Sequence, residues 1–191
     1  MVSEISFDTS TPSVPGALVQ PLLATGEPLD DVVEVRSGAF HFLARRSDGT
    51  VWAWGAESSA PGALGLGLPD GITKALLPTR IPQIAGAVSI AASFDSGYAV
   101  LGDGTLLSWG GNWQGQVGDG TFGPRTTPVP VPGIADAIRV HAGSQSFHVL
   151  VQIRTNVVMG WGYYSSGSPA RPALPSTATP EVVPFPSPFD E

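Results

Sequence analysis

The feature that most constrains this chain is a tryptophan-glycine pair that recurs three times at nearly constant spacing. Trp54-Gly55, Trp109-Gly110 and Trp161-Gly162 lie 55 and 52 residues apart. A repeat period near 50 residues is typical of blade and solenoid architectures, in which one structural unit is copied along the chain. Repeat scaffolds of this kind usually present binding surfaces. The spacing therefore predicts the fold in more detail than it predicts a partner.

Each tryptophan follows two strand-like segments joined by a tight turn. The segment 33–55 aligns with 88–110 without a gap, which places Asp48-Gly49 opposite Asp103-Gly104. Asp-Gly between two strands predicts a two-residue type I′ hairpin, in which both central residues need positive φ. The third copy has Thr155-Asn156 there, and asparagine tolerates the left-handed conformation. That copy is two residues longer before its tryptophan, which leaves its register open.

The tryptophans are predicted to lie in the core between neighbouring sheets. Residues two positions apart share one face of a strand, and large aromatic side chains dominate core burial. This pairing groups Trp52 with Trp54, Leu107 with Trp109, and Met159 with Trp161.

Proline-rich stretches close each unit, at 76–86, 127–136 and 179–187. Proline cannot donate to a sheet ladder, so these stretches are predicted to be edge strands or crossings between blades. The resulting division is an acidic N-terminal extension with a partial repeat, three repeats, and a proline-rich tail that is either extended or a closing strand. The boundaries are 1–32 for the extension, 33–87, 88–137 and 138–167 for the repeats, and 168–191 for the tail.

Together these features resemble the regulator of chromosome condensation repeat family. The family pattern is a Gly-x-x-His strand, an Asp-Gly turn, Trp-Gly, then Asn-x-x-Gly-Gln-Leu-Gly and a closing Pro-Val. The first copy supplies Gly38-Ala39-Phe40-His41, whereas the second and third copies place Ser96 and Ser146 at the histidine position. The second copy matches the rest best, at Asp103-Gly104, Trp109-Gly110, Asn112, Gly115-Gln116-Val117-Gly118 and Pro128-Val129. The third copy lacks the Gly-Gln-Leu-Gly element.

The resemblance implies a β-propeller of four-stranded blades, usually seven, and this chain has about three units. We therefore expect an all-β fold, an incomplete β-propeller arc of about three four-stranded blades. An open arc exposes sheet faces and edges at its ends. Three arrangements stay open: chains could pool blades into a ring, the N-terminal segment and the tail could cap the ends, or the arc could dock on a partner.

No catalytic, cofactor or metal site is predicted, and an enzyme is not expected. The chain has no cysteine, and no serine lies in a Gly-x-Ser-x-Gly elbow. His141 and His148 are seven residues apart, which is not a metal-ligand spacing. The resemblance implies a structural role for His41 within its blade.

The charge distribution argues against a nucleic-acid partner. The net charge is −7, and a nucleic-acid groove needs a net basic field. No apolar run approaches the roughly 20 residues of a membrane helix, and the N-terminus lacks a basic start followed by an apolar core. The expectation is a cytoplasmic protein with no membrane partner.

Aromatic residues that follow the Trp-Gly strands are the candidate protein interface, because exposed aromatics are common interface anchors. They should lie on one rim of the arc, and they are Trp113, Tyr163 and Tyr164; the candidate interface also includes Gln114, which follows Trp113. They could instead cover the ends of their own blades. The sequence thus favours a non-catalytic scaffold that binds a protein partner through rim loops. The alternatives are an assembly subunit that closes a ring, including a homo-oligomer, and, by family analogy, a regulator of a small GTPase.

Overall fold

Three four-stranded antiparallel sheets follow one another along the chain. The computed structural model describes residues 21–58, 60–164 and 176–183, which contain strands and turns but no helix. Each sheet is a meander in which consecutive strands pair, and we call the three sheets the first, second and third blade. Their strands are β1 Val32–Ser37, β2 His41–Arg46, β3 Val51–Ala56 and β4 Lys74–Arg80; β5 Ala87–Ala92, β6 Ser96–Leu101, β7 Leu106–Gly110 and β8 Arg125–Pro130; β9 Ala137–Ala142, β10 Phe147–Ile153, β11 Val158–Tyr163 and β12 Thr177–Val182.

The proline-rich stretches supply the fourth strand of each blade. β4, β8 and β12 each contain proline and each lies at the edge of its sheet. The edge-strand prediction is confirmed for the parts of these stretches that form β4, β8 and β12, whereas residues 184–187 of the third stretch lie outside the described residues. The physical reason is that an edge strand leaves half its backbone N–H groups outside the ladder. Within the tail, β12 pairs with β11, so this part of the tail is a strand of the third blade.

The tight turns differ from the type I′ prediction. Only the second residue of each Asp-Gly pair has positive φ, 78° at Gly49 and 88° at Gly104. The Gly49 N–H donates to the Arg46 carbonyl at 3.0 Å, and the Asp48 carboxylate accepts from the Thr50 N–H at 2.9 Å. This pattern is a three-residue hairpin whose last residue is left-handed. In the third blade Asn156 takes that conformation, with φ 64°.

Tryptophan fills the space between adjacent blades. Trp109 and Trp161 are fully buried, which confirms the core prediction for both. The Trp109 indole N–H donates to the Ala63 carbonyl of the first blade's long loop at 3.2 Å. Trp161 repeats the bond one blade later, to the Gln116 carbonyl at 2.8 Å. Each tryptophan therefore fastens its blade to the loop of the blade before it.

Trp54 differs from the two later tryptophans. It is half-buried, and its ring stacks on Phe42 with centroids 5.5 Å apart. Phe42 pairs with Trp54 as Gly97 pairs with Trp109. In the second blade the Trp109 ring packs directly on Gly97, where a Cβ would lie 2.4 Å from the ring. The first blade has Phe42 at the equivalent position, so its tryptophan stacks on an aromatic ring instead of packing on a glycine.

The structure corrects the register of the third blade. The family's histidine position is the residue that pairs with the glycine after tryptophan: His41 pairs with Gly55, and Ser96 with Gly110. In the third blade His148 pairs with Gly162, so His148 holds the position and Ser146 does not. The two extra residues lie between Ala142 and His148, in the loop after β9 and at the start of β10.

Candidate protein-binding rim

The long loops of the first two blades lie at one end of the strands. In a four-stranded meander the connections after the first and third strands fall at the same end, because strand direction alternates. We call this end the loop rim; its described segments are 38–40, 57–58, 60–73, 93–95, 111–124 and 143–146. The opposite end, the turn rim, carries the hairpins near Gly49, Gly104 and Asn156.

Trp113 and Tyr163 lie at the loop rim with exposed side chains. Trp113 is 63% exposed and Tyr163 is 43% exposed. Gln114 is half-buried, and its side-chain oxygen accepts from the Ser176 hydroxyl at 2.6 Å. The structure therefore brings three of the four sequence-predicted side chains to one end of the molecule, and two of them are exposed.

Tyr164 does not present its side chain at the rim. It is 3% exposed, and its ring stacks on His148 with centroids 4.7 Å apart. A Cβ on Gly160 would lie 2.2 Å from the Tyr164 hydroxyl oxygen, so the missing side chain at Gly160 makes room for the tyrosine. The expectation that Tyr164 is exposed with Tyr163 is wrong, because neighbouring residues at the end of a strand point to opposite faces.

The third residue after each tryptophan folds inward in all three blades. In the second blade this residue is Asn112, whose side-chain oxygen accepts from the Val117 N–H at 2.9 Å. In the first it is Glu57, whose carboxylate accepts from the Gly62 and Ala63 N–H groups at 2.7 and 2.6 Å. Burial raises the pKa of the Glu57 carboxyl. These side chains hold the loops that carry the rim.

The loop that carries Trp113 is braced at several points. The Asn112 amide donates to the Thr121 and Gly123 carbonyls at 2.9 and 3.0 Å. The Gln116 side-chain oxygen accepts from the Gln114 N–H at 2.7 Å. An exposed aromatic on a braced loop loses little conformational entropy on binding, and this favours its use as an anchor.

A row of aromatic side chains crosses the loop rim from blade to blade. Phe40 and Phe94 meet edge to face with centroids 5.7 Å apart, and Phe94 and Phe147 are 5.1 Å apart. Phe147 pairs with Tyr163 across β10 and β11. We call Phe40, Phe94, Phe147 and Tyr163 the aromatic stripe. Phe40 is 54% exposed, and Phe94 and Phe147 are half-buried.

Backbone hydrogen bonds hold the stripe together. The Ala39 N–H donates to the Phe94 carbonyl, and the Phe94 N–H donates to the Ser146 carbonyl, both at 3.1 Å. A hollow of about 490 Å³ lies at the end of the stripe, lined by residues 143–148 and Tyr163. Sequence reasoning found only Tyr163 of this stripe. The signal it missed is that each unit has a phenylalanine one or two residues before the histidine position.

The histidines lie in three different environments. His41 is buried, and burial lowers its pKa to about 4; a Cβ on Gly38 would lie 2.2 Å from its ring. His148 lies under the Tyr164 ring, and burial lowers its pKa. His141 lines a groove formed by the inner strands. No three His, Asp or Glu side chains of the described residues are grouped as metal ligands would be.

Asp95 is the buried carboxylate of the rim. Its side chain lies 3.3 Å from both the Ser96 hydroxyl and the Gln116 amide, which donate to it. Burial raises the pKa of the Asp95 carboxyl, and these hydrogen bonds oppose the rise. Because Gln116 belongs to the loop of Trp113, Asp95 connects that loop to the loop between β5 and β6 of the same blade.

Family and structure comparisons agree with this geometry. Residues 103–150 match the Regulator of chromosome condensation (RCC1) repeat, and residues 32–59 match a second description of that repeat. The chain carries repeats of the regulator of chromosome condensation family. Its sheets are blades of an incomplete β-propeller arc, as the sequence predicted. None of the described segments forms a helix of the length and apolarity that crossing a membrane requires.

Curated relatives are longer proteins. The chain is 28% identical over 155 residues to the secretion-regulating guanine nucleotide exchange factor of Bos taurus, covering 72% of this chain and 32% of that protein. It is 27% identical over 153 residues to the mitochondrial RCC1 domain-containing protein RUG3 of Arabidopsis thaliana, covering 79% and 33%. The chain spans about a third of the length of these relatives.

Solved structures share the fold. Human WBSCR16 superposes with a TM-score of 0.67 at 26% identity, covering 80% of this chain and 38% of that one. Prp20p from Saccharomyces cerevisiae gives a TM-score of 0.66 at 21% identity, covering 82% and 39%. The second likeness concerns the fold alone.

Proposed function

We propose that this chain is a non-catalytic interaction scaffold that binds a protein partner through its loop rim. The observation that carries the proposal is the aromatic stripe together with Trp113, all at the loop rim, with the side chains of Phe40, Trp113 and Tyr163 exposed. Aromatic residues are enriched at the centres of protein interfaces, where a few of them contribute most of the binding energy.

Proteins of this fold with protein partners support the proposal. The solved structures include yeast RCC1 (Prp20) bound to Kap60, and Prp20p, which is described as binding Gsp1p and histones. Those partners belong to those proteins. What transfers here is the class of function, because repeat scaffolds use loops at the ends of their strands as binding surfaces.

Affinity capture from the native host tests the proposal with matched variants. The bait carries Trp113→Ala and Tyr163→Ala together, and the control bait carries Leu76→Ala, an exposed aliphatic residue on the edge strand β4. Loss of hot-spot side chains weakens an interface by about tenfold or more. The rim variant should lose a partner that wild type and control retain. Equal recovery of every partner by all three baits would contradict the proposal.

Guanine nucleotide exchange is the second candidate, because the relative from Bos taurus is named as an exchange factor. Release of a fluorescent guanine nucleotide from a panel of small GTPases separates the candidates. Under the scaffold proposal, release proceeds at the intrinsic rate with or without this chain. Faster release that depends on the chain's concentration would replace the scaffold proposal with an exchange activity.

A further inference from the structure

The first strands of the three blades enclose a groove on the inner side of the arc. β1 contacts β5, and β5 contacts β9. The groove has a volume of about 610 Å³, which is within the range of ligand-binding clefts. We call it the axial groove. It is separate from the aromatic stripe, because none of the stripe residues lines it.

A bulge at the same place in each blade turns an aliphatic side chain into this groove. The strand pairing skips Val33 in β1, Val88 in β5 and Ile138 in β9. All three line the groove, and Val33 and Val88 are exposed. Bulges re-aim side chains and are common near functional sites. The result is a row of three aliphatic groups, one from each blade.

Arginine side chains lie beside this aliphatic row. Arg36, Arg45 and Arg139 line the groove, and Glu34 is its one acidic lining residue. Glu34 is shared: its two carboxylate oxygens lie 2.9 Å from Arg36 and 2.9 Å from Arg45. The lining therefore has an excess of positive charge in a chain whose net charge is −7.

Two of the arginines are held in place by the next blade. The Arg36 Nε–H donates to the Ile90 carbonyl at 3.3 Å, and an Arg45 Nη–H donates to the Ala87 carbonyl at 3.4 Å. The side chain of Arg139 makes no ion pair or hydrogen bond with any described residue, and Arg139 is exposed. Its guanidinium can therefore bind an anion without losing a contact to the described part of the chain.

We propose that the axial groove binds a short acidic peptide segment that carries aliphatic side chains beside its carboxylates. Carboxylates would pair with the guanidinium groups of Arg139 and Arg36, a geometry that arginine favours. Aliphatic side chains of the segment would contact Val33, Val88 and Ile138. A nucleic acid fits less well, because its phosphates find few cations here and the rest of the chain is acidic.

Fluorescence anisotropy with a labelled peptide of alternating leucine and glutamate tests the proposal on the full chain. A peptide with glutamine in place of glutamate is the probe control. The acidic peptide should bind, its affinity should fall as salt rises from about 50 to about 300 mM, as expected for exposed charges, and the neutral peptide should bind at least about fivefold more weakly. Equal binding of the two peptides would overturn the proposal.

Variants locate the site. Arg139→Gln should weaken binding several-fold, whereas Arg154→Gln, another exposed arginine of the third blade outside the groove, should not. Val88→Asp should abolish binding, with Val182→Asp on β12 as the control for an acidic substitution at an exposed valine. Glu34→Gln should strengthen binding, because it removes the groove's negative charge. Equal effects of R139Q and R154Q, or full binding by V88D, would overturn the assignment.

Inorganic phosphate distinguishes a peptide site from a site for any free anion. Phosphate lacks the aliphatic portion, so it should displace the labelled peptide only at far higher concentration than the unlabelled peptide does. Displacement by phosphate at equal or lower concentration would overturn the assignment to a peptide.

Discussion

At the residue scale, burial sets the protonation behaviour of His41. The imidazole is buried against Gly38, and neither nitrogen has a hydrogen-bond partner among the described residues. Removal from water disfavours the charged ring and lowers the pKa to about 4. The family histidine of the first blade is therefore a neutral packing residue near neutral pH. Serine takes its place in the second blade, and histidine returns in the third.

His41 should make the fold sensitive to acid. Its folded-state pKa of about 4 lies below the ordinary histidine pKa of 6.5 that applies in the unfolded chain, so the unfolded state binds the extra proton as pH falls between these values. The free energy of unfolding should fall over that window by roughly 3 kcal/mol from this group. Urea unfolding of wild type and His41→Gln at about pH 7 and about pH 4.5 measures the difference.

The raised pKa values of Glu57 and Asp95 act in the opposite direction. When the folded-state pKa of a carboxyl is raised, the free energy of unfolding increases as the pH falls and the carboxyl takes up a proton. Wild type and His41→Gln share both carboxyls, so these contributions cancel when the free energy of unfolding of the variant is subtracted from that of wild type at each pH. His141→Gln is the control for an exposed histidine. An unchanged gap between wild type and His41→Gln at the two pH values would contradict the buried, neutral assignment.

At the scale of the element, the hairpins depend on one left-handed residue. A Cβ on Gly49 would lie 2.6 Å from the Gly86 backbone, because the turn packs on the chain that enters the second blade. The Ala87 N–H donates to the Gly49 carbonyl at 3.0 Å, and Ala137 repeats this bond to Gly104. Each hairpin is thus part of the connection to the next blade.

Gly49→Ala should destabilise the protein by more than the strain of positive φ alone. Gly133 is the matched control, with φ 78° like Gly49 but with no atom within 4 Å of the place where a Cβ would lie. Alanine with positive φ costs about 1–2 kcal/mol, so Gly133→Ala should lose about that much. Gly49→Ala should lose more, because backbone atoms must also move. Equal midpoints of the two variants in urea unfolding would show that the turn does not pack as described.

Local patterns predicted the elements well and predicted the direction of side chains less well. Trp109 and Trp161 were predictable because period-two alternation places them with their neighbours on one face. Asp48-Gly49 predicted a hairpin, but the pair of residues does not fix the number of loop residues, which the pairing of Arg45 with Val51 and the bond from the Arg46 N–H to the Thr50 carbonyl establish. The two extra residues of the third blade were counted correctly, but only the strand pairing shows that they lie before His148.

The candidate rim was predicted only in part, because sequence patterns locate a residue on a strand or loop better than they give the direction of its side chain. Trp113 and Tyr163 follow a recognisable Trp-Gly strand, and both are exposed. Tyr164 is adjacent in sequence but turns inward over Gly160. The aromatic stripe is assembled from loops of the first two blades and from the ends of β10 and β11, so no single stretch of sequence contains it. It could be recognised only when the blades were placed side by side.

At the scale of the whole molecule, the three blades are not equally covered. β6 and β7 of the second blade are almost wholly buried, because the blade has a neighbour on each face. The first blade exposes Val35 and Phe42 on its outer face, and residues 143–163 of the third blade include many half-buried positions. In a repeat protein the stability of a unit depends on the interfaces with its neighbours.

Hydrogen exchange should follow this order. Amides of β6 and β7 should exchange more slowly than those of β2 and β3 or of β10 and β11, which hold equivalent places in their own sheets and so serve as matched controls. The reason is that the middle blade opens only when an interface on each side is broken. Equal protection in the three blades would instead indicate one cooperative unit.

Site-specific photo-crosslinking tests the central claim, that the loop rim is the partner-binding surface. Benzoylphenylalanine is placed at Trp113, Phe40 or Tyr163 at the loop rim, and at Leu76 or Val182 on the outer edge strands, and each protein is irradiated in extract of the native host. All of these positions are exposed. We expect one common partner to crosslink from the rim positions and from neither edge strand. Crosslinks to a partner from the edge strands alone would contradict the account.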